Sequence, residues 1–332
     1  MNWYRRHVLT VGAALGGLAL FAYSVREAGV GQIFEGFAGL GWGLLPILAL
    51  GGLRFVLRAE AWRLCTPVAS RLQFRQMFAA FLAGDTMGNV TPLGLFASEP
   101  TKVFLTRHHL ATRQSISSLA IDNLVYAFSV AAMIAAGLII MLVTVPLPFE
   151  AKEWSVVTLV ALGVLCVAGL WLFRSGRQPA RDAGSSWVDR LLRLRTSMRE
   201  FSVGHPRRLW RVFALDVVFH AVAVLEVFLT LRWLMGDRSP TLAEAMMFES
   251  LNRVITAAFK FVPLRMGVDE AASGGFARLV GFNPAAGVAL AVVRKVRSLF
   301  WMGVGLAVIA LYHARDARAA DRHHEGVPAP RT

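Results

Sequence analysis

The chain has 332 residues, 56% of them hydrophobic and only 17% charged. Soluble domains run at about 45–50% apolar and about 25% charged, so this composition excludes an ordinary soluble fold and makes the bilayer the solvent. The net charge of +14 raises nucleic acid as a partner. However, the basic residues flank apolar runs and no zinc-finger or RNP pattern occurs, so they read as topology signals and contacts with anionic lipid.

In chain order, Arg5-Arg6 and the apolar run 7–25 resemble a signal peptide. Ala22-Tyr23-Ser24 is a poor small-residue cleavage site and further spans follow, so a retained first helix is expected. A loop over 26–36 carries Glu27 and Glu35. The second span covers about 38–56 and ends in Arg54, Arg58, Arg63, Arg71 and Arg75, a basic loop that also holds Cys65. Next comes Gly84 to Leu110, where Asp85, Glu99 and Lys102 sit in apolar sequence and Pro92 and Pro100 interrupt any continuous helix. A span at 115–145 stops at Pro146 and Pro148, and another, containing Cys166, covers 154–173. The stretch 174–209 is a basic linker in which Trp187, Leu191, Leu194, Met198 and Phe201 recur at spacings of four and three. That spacing predicts an amphipathic helix on the membrane surface. After a span at 210–235, a second interrupted stretch runs from Glu249 to Pro284, with Lys260, Pro263, Arg265, Gly267, Asp269 and Glu270. Asn283-Pro284 predicts a helix start, a last span runs to about 312, and a polar tail over 313–332 is expected to be disordered.

The Arg-rich segments place the N-terminus, 54–75, 174–209 and the tail in the cytoplasm. The loops at 26–36, 146–153 and 236–240, with Asp237 in the last, and Gly281 then face outward. This requires each interrupted stretch to enter and leave on one side, the first cytoplasmic and the second outer. The fold class that follows is all-α: residues 1–332 form one polytopic membrane helical bundle with two interrupted re-entrant segments in an inverted-topology repeat. The competing reading makes each interrupted stretch an ordinary kinked span.

Candidate binding residues lie in those stretches. Asn89, Thr91, Pro92 and Gly94 make a turn of polar backbone in an apolar setting. Ser98-Glu99-Pro100 reads as a helix start whose free N–H groups face an anion, with Lys102 one turn in. The plainer reading of Glu99 and Lys102 is an ion pair three residues apart. Asp122 lies inside the apolar run 116–145, so it needs a partner from Arg253, Lys260, Arg265 or Arg294, unless it sits near the cytoplasmic interface. His220 and Glu226 read first as packing. Arg294 and Arg297 share a helix face. With Lys260 and Arg265 they make a cationic cavity for phosphate, snorkelling to the interface being the alternative. Pro263 and Gly267 shape the second break, and Glu99 and Glu270 neutralise the basic residues when the cavity is empty. No nucleophile elbow, P-loop, HExxH or aspartate pair for Mg-diphosphate occurs. The two cysteines supply neither a disulfide framework nor a metal set, so no cofactor or metal is expected.

These stretches resemble the lysylphosphatidylglycerol synthase transmembrane, flippase-like family of bacterial membrane proteins. Asn89-Val-Thr-Pro92-Leu-Gly94, then Glu99-Pro100-Thr-Lys102 and Arg107, is similar to its N-x-x-P-x-G and G-E-P-x-[RK] patterns, with Ser98 in place of the usual Gly. Pro263-Leu-Arg265-Met-Gly267-Val-Asp-Glu270 resembles its P-x-x-[LM]-G-x-x-E pattern, and Arg294 and Arg297 before Phe300-Trp301 and Gly303 resemble its late basic pair. The resemblance covers nearly the whole chain. It implies lipid translocation, in a family that includes hopanoid-associated members, and it does not imply aminoacyl transfer. The expected function is therefore movement of an anionic or polyprenyl-linked lipid between leaflets of the bacterial inner membrane, both termini cytoplasmic, by a non-enzyme. The expected partners are membrane lipids, with lipid-biosynthesis enzymes as candidate protein partners and no nucleic acid. The alternatives are a membrane scaffold of a lipid or cell-envelope biosynthesis complex, or an integral-membrane lipid-modifying enzyme.

Overall fold

The computed structural model describes residues 40–67, 70, 72–91, 94–174, 187–235, 239–259, 265 and 267–325. The first span expected over 7–25 and its following loop lie outside them. The described residues form these helices: α1 (Leu44–Cys65, entered by one 3-10 turn, Gly41–Gly43), α2 (Phe74–Val90), α3 (Gly94–Thr106), α4 (Thr112–Thr144), α5 (Phe149–Arg174), α6 (Trp187–Gly204), α7 (Pro206–Leu234), α8 (Leu242–Ala258), α9 (Val268–Leu279) and α10 (Pro284–Glu325). Five of them, α1, α4, α5, α7 and the first part of α10, are long and apolar enough to cross a membrane. The protein is thus an all-α polytopic membrane bundle.

Two helical hairpins, α2–α3 and α8–α9, are the interrupted stretches. Both open with a 17-residue helix. At the start of α8 a capping box ties up two orphan N–H groups, Thr241 with Glu244, and at the start of α2 the Gln76 side chain accepts from the Gln73 N–H at 2.9 Å. The first helix ends at Val90 in one and at Ala258 in the other, and before α9 Gly267 takes φ +75 and Arg265 φ +49. Left-handed φ suits glycine and strains an arginine; Arg265 is held by bonds from Nε to both carboxylate oxygens of Asp269, at 3.3 and 3.2 Å.

The packing repeats between halves. Exchanging α1, α2, α3 and α4 for α7, α8, α9 and α10 turns the α2–α10 contact into α8–α4, α3–α4 into α9–α10, and α1–α4 into α7–α10, and every one of these contacts is present. One apolar core, with Trp62, Met77, Phe81 and Leu119, seats α2 against α1 and α4. Its counterpart, with Met133, Phe248, Phe276 and Leu290, seats α8 and α9 against α4 and α10. The α5 helix stays at the periphery, with Trp154, Val160, Val164 and Trp171 exposed.

Several expected boundaries are corrected. The second span does not end at 56: nothing helix-breaking follows Val56, so α1 carries Arg54 and Arg58 inside the bundle. Cys65 is the buried last residue of that helix, not a loop residue. Pro100 neither starts nor breaks a helix but sits within α3, which begins at Gly94. The expected anion site on free N–H groups at Ser98 and Glu99 is therefore absent. Pro100 removes one intrahelical bond there, while Thr101 Oγ1 bonds the neighbouring Ala97 carbonyl at 2.7 Å. The last span ends at Tyr312 as expected, and the helix that carries it continues to Glu325, where the Ala- and Arg-rich sequence favours helix. The start at Pro284 is as expected, with Asn283 Oδ1 accepting from the Ala285 N–H at 3.0 Å.

Candidate functional site: a buried arginine cluster

The interior of the bundle is charged. Glu226 on α7 is 3% exposed. It accepts from Arg54 Nη1 of α1 at 3.0 Å with one carboxylate oxygen and from Arg297 Nη1 of α10 with the other. Glu249 on α8 is 2% exposed and pairs at 2.5 Å with Arg253, one turn along its own helix. Its other oxygen accepts from Arg294 of α10 and from Asn252, each at 3.2 Å. Phe219 lies between the two groups, with Arg54 4.7 Å and Arg253 5.2 Å from its ring centre. Four arginines thus share two glutamates in a space walled by apolar helices. Asp85 of α2 is a third carboxylate within electrostatic reach of Arg54 and Arg297. With Asp85 counted, four guanidiniums face three carboxylates, an excess of one positive charge that the adjoining group of one arginine and two aspartates offsets.

The sequence positions these side chains. Arg54 and Arg58, like Glu249 and Arg253, are spaced one helical turn apart and so share a face. Gly51-Gly52 lets α10 lie directly on α1: a Cβ at Gly52 would come within 2.5 Å of the Trp301 ring, and one at Gly51 within 2.9 Å of Arg297 Cδ. Trp301 Nε1 donates to the Leu48 carbonyl at 3.1 Å and locks that approach. Arg297 is thereby carried to Glu226.

A second cluster adjoins the first. Arg58 donates to Asp216 at 2.7 Å and to Asp122 at 2.6 Å, and all three are buried. Its guanidinium lies 4.1 Å from the Tyr126 ring centre, and the Tyr126 hydroxyl accepts from Arg253 at 3.1 Å. Tyr126 therefore joins the two clusters.

The sequence profile of the lysylphosphatidylglycerol synthase TM region matches residues 9–307. The chain belongs to this family. No curated protein and no solved structure matches it at a significant level. The family places it among membrane proteins of lipid metabolism or transport.

In this member of the family the residues singled out from sequence do not all meet at one place. Arg294, Arg297 and Glu270 reach the interior, Glu270 through an ion pair with Lys295 of α10. Asn89 and Thr91 bond within their own helix end, Asn89 to Asp85 at 2.9 Å and Thr91 to the Met87 carbonyl at 2.7 Å. Glu99 and Lys102 form the i,i+3 pair at 2.9 Å, with Lys102 4.5 Å from the Phe81 ring centre. Gly94 opens α3, Gly267 caps α9, and Arg265 pairs with Asp269. Pro92, Lys260 and Pro263 lie outside the described residues. Asp122 is buried, but its partner is Arg58, not Arg253, Arg265 or Arg294, because Arg58 stands on a membrane helix rather than in a loop. His220 bonds Ser129 at 3.0 Å and stacks on Tyr126, as the packing reading expects. Sequence reasoning missed Arg54, Arg58, Asp216 and Glu249 as interior residues and undervalued Glu226. The one-turn spacing of Arg54 with Arg58, and of Glu249 with Arg253, was the available signal.

Proposed function

We propose that this protein translocates an anionic or polyprenyl-linked lipid between the leaflets of a bacterial inner membrane, as a transporter and not an enzyme. One observation carries the reading: four arginines share two glutamates inside the bundle. A guanidinium offers two parallel donors to a phosphate, and in low dielectric such charge-assisted bonds are the strong ones. When the site is empty, Glu226 and Glu249 hold the arginines. When a lipid phosphate arrives, it takes over part of that pairing, and the helices bearing the glutamates are freed to shift. In this reading α2–α3 and α8–α9 are re-entrant hairpins opening to opposite faces, the first cytoplasmic, and both termini are cytoplasmic. The repeated packing of the two halves supports opposed hairpins of this kind. Lipid-biosynthesis enzymes would supply the cargo as partners.

The test is reconstitution with labelled lipids. Movement of phosphatidylglycerol or a polyprenyl phosphate across the bilayer without chemical change is the expected result. Arg294→Ala should abolish it while the protein still folds and inserts, and Arg294→Lys should restore part, keeping the charge without the fork. Product formation would make the protein a lipid-modifying enzyme, and neither movement nor product would make it a scaffold. Unaltered transport by Arg294→Ala would refute the arginine site.

A further inference from the structure

Away from the arginine cluster, a cavity of about 580 Å³ lies where the start of α2, the end of α3 and α10 meet. Its size falls in the range of roughly 300–1,000 Å³ typical of ligand clefts. Arg75, His108 and His109 stand at it, all exposed, and Ala80, Leu105 and Val308 form apolar wall. Gln76, also lining it, holds His109 through a 2.8 Å bond between its amide nitrogen and Nε2. A rim of one guanidinium and two imidazoles over an apolar wall matches a molecule with a negative head and a greasy tail.

The repeated packing supplies an internal control. Ala80 is the seventh residue of α2, and the seventh residue of α8 is Phe248. His109 stands three residues past the end of α3, and three past the end of α9 stands Phe282. At that other end Phe248 stacks on Phe282 with centroids 6.1 Å apart, and Phe276 meets Phe248 edge-on at 4.9 Å. Where the second hairpin fills its space with aromatic rings, the first has a methyl group and an imidazole. The cavity is therefore a property of this sequence at this end and not of hairpin packing in general. Ten residues along α2 from Arg75, about 15 Å of helix, stands Asp85, within reach of Lys102 and Arg297.

We propose that this cavity binds an anionic amphiphile, a phosphate-ester head held by Arg75, His108 and His109 with its apolar tail along Ala80, Leu105 and Val308. It rests on the lipid-translocation reading and adds the place where the cargo is first held. The experiment uses the full chain in lipid nanodiscs with a photoactivatable phosphatidylglycerol, the crosslinks being mapped by mass spectrometry, and translocation is measured in parallel. Labelling is expected on 75–80, 105–109 and 308–312. The combined Arg75→Gln, His108→Gln and His109→Gln variant should lose at least about tenfold of it, the worth of one charge-assisted hydrogen bond. These side chains are exposed, so the variant is expected to fold. Ala80→Phe, which puts in α2 what α8 already has, should block labelling by filling the space. Equal labelling by zwitterionic phosphatidylcholine, or unchanged labelling in the triple variant, overturns the proposal. Competition by glycerol phosphate as strong as by the lipid also overturns it, since that would make the cavity a site for free phosphate esters. Wild-type translocation by an unlabelled triple variant removes the cavity from the route and leaves the transport reading intact. Specific labelling of a wild-type protein that moves no lipid supports the site and refutes transport.

Discussion

Replacing Arg58 by alanine tests the charged interior most directly. The substitution leaves Asp122 and Asp216, 1% and 0% exposed, without the guanidinium that holds them at 2.6 and 2.7 Å. Breaking a buried pair from one side costs about 3–5 kcal/mol. Loss of the stacking on Tyr126, at 4.1 Å, adds up to about 2 kcal/mol, less than additively because the groups touch. At a few degrees per kcal/mol, the apparent melting temperature should fall by about 10 °C. Cys65 is a built-in reporter: it is 3% exposed and packs with Ile121, Val125 and Val212 beside the cluster. With Cys166→Ala removing the other free thiol, a thiol-reactive dye follows the opening of this region on heating, at one fixed scan rate because membrane-protein unfolding is commonly irreversible. The combined Arg58→Met, Asp122→Leu and Asp216→Leu variant removes all three charges and should recover most of the loss, since an apolar trio of similar volume avoids the desolvation cost. A single variant melting within about 2 °C of wild type, well below the shift expected from a broken buried pair, would refute the reasoning. So would a triple variant no more stable than the single.

Two further outcomes are expected. A Cβ at Gly305 of α10 would strike Thr86 Oγ1 and come within 3.2 Å of the Leu82 carbonyl, whereas Gly303 has nothing within 4 Å. Gly305→Ala should therefore cost about 1–3 kcal/mol by separating α10 from α2, and Gly303→Ala should be neutral or stabilise by up to about 1 kcal/mol through helix propensity; equal effects in a melting assay would refute that contact. For topology, single cysteines at Arg113 and Ser239, both exposed, in a Cys65→Ala, Cys166→Ala background should label from the cytoplasm and the outside respectively, and labelling of both from one side would sink the opposed-hairpin arrangement. Gly281 is a poorer reporter than Ser239 because its φ of +77 strains any side chain.

The sequence alone determined the membrane class, the described spans other than the end of α1, a helix at α6, the two broken stretches and the family. These follow from local chemistry. Apolar runs of span length, turns rich in Gly and Pro and charge bias in loops are each written in consecutive residues. It also singled out Arg294, Arg297, Glu270 and Asp122 as charges in apolar surroundings. Only the tertiary structure decided their partners. Arg58 and Asp122 are 64 residues apart, Arg54 and Glu226 are 172 apart, and Arg297 and Glu226 are 71 apart. An ion pair across helices depends on which faces meet, and here that is set by close approaches such as Gly51-Gly52 against Trp301. Reading Arg54 and Arg58 as loop charges failed for the same reason. A single helix cannot tell an arginine that snorkels to the interface from one that meets a carboxylate on another helix, because the bilayer penalises only the unpaired charge, and pairing is a property of the bundle.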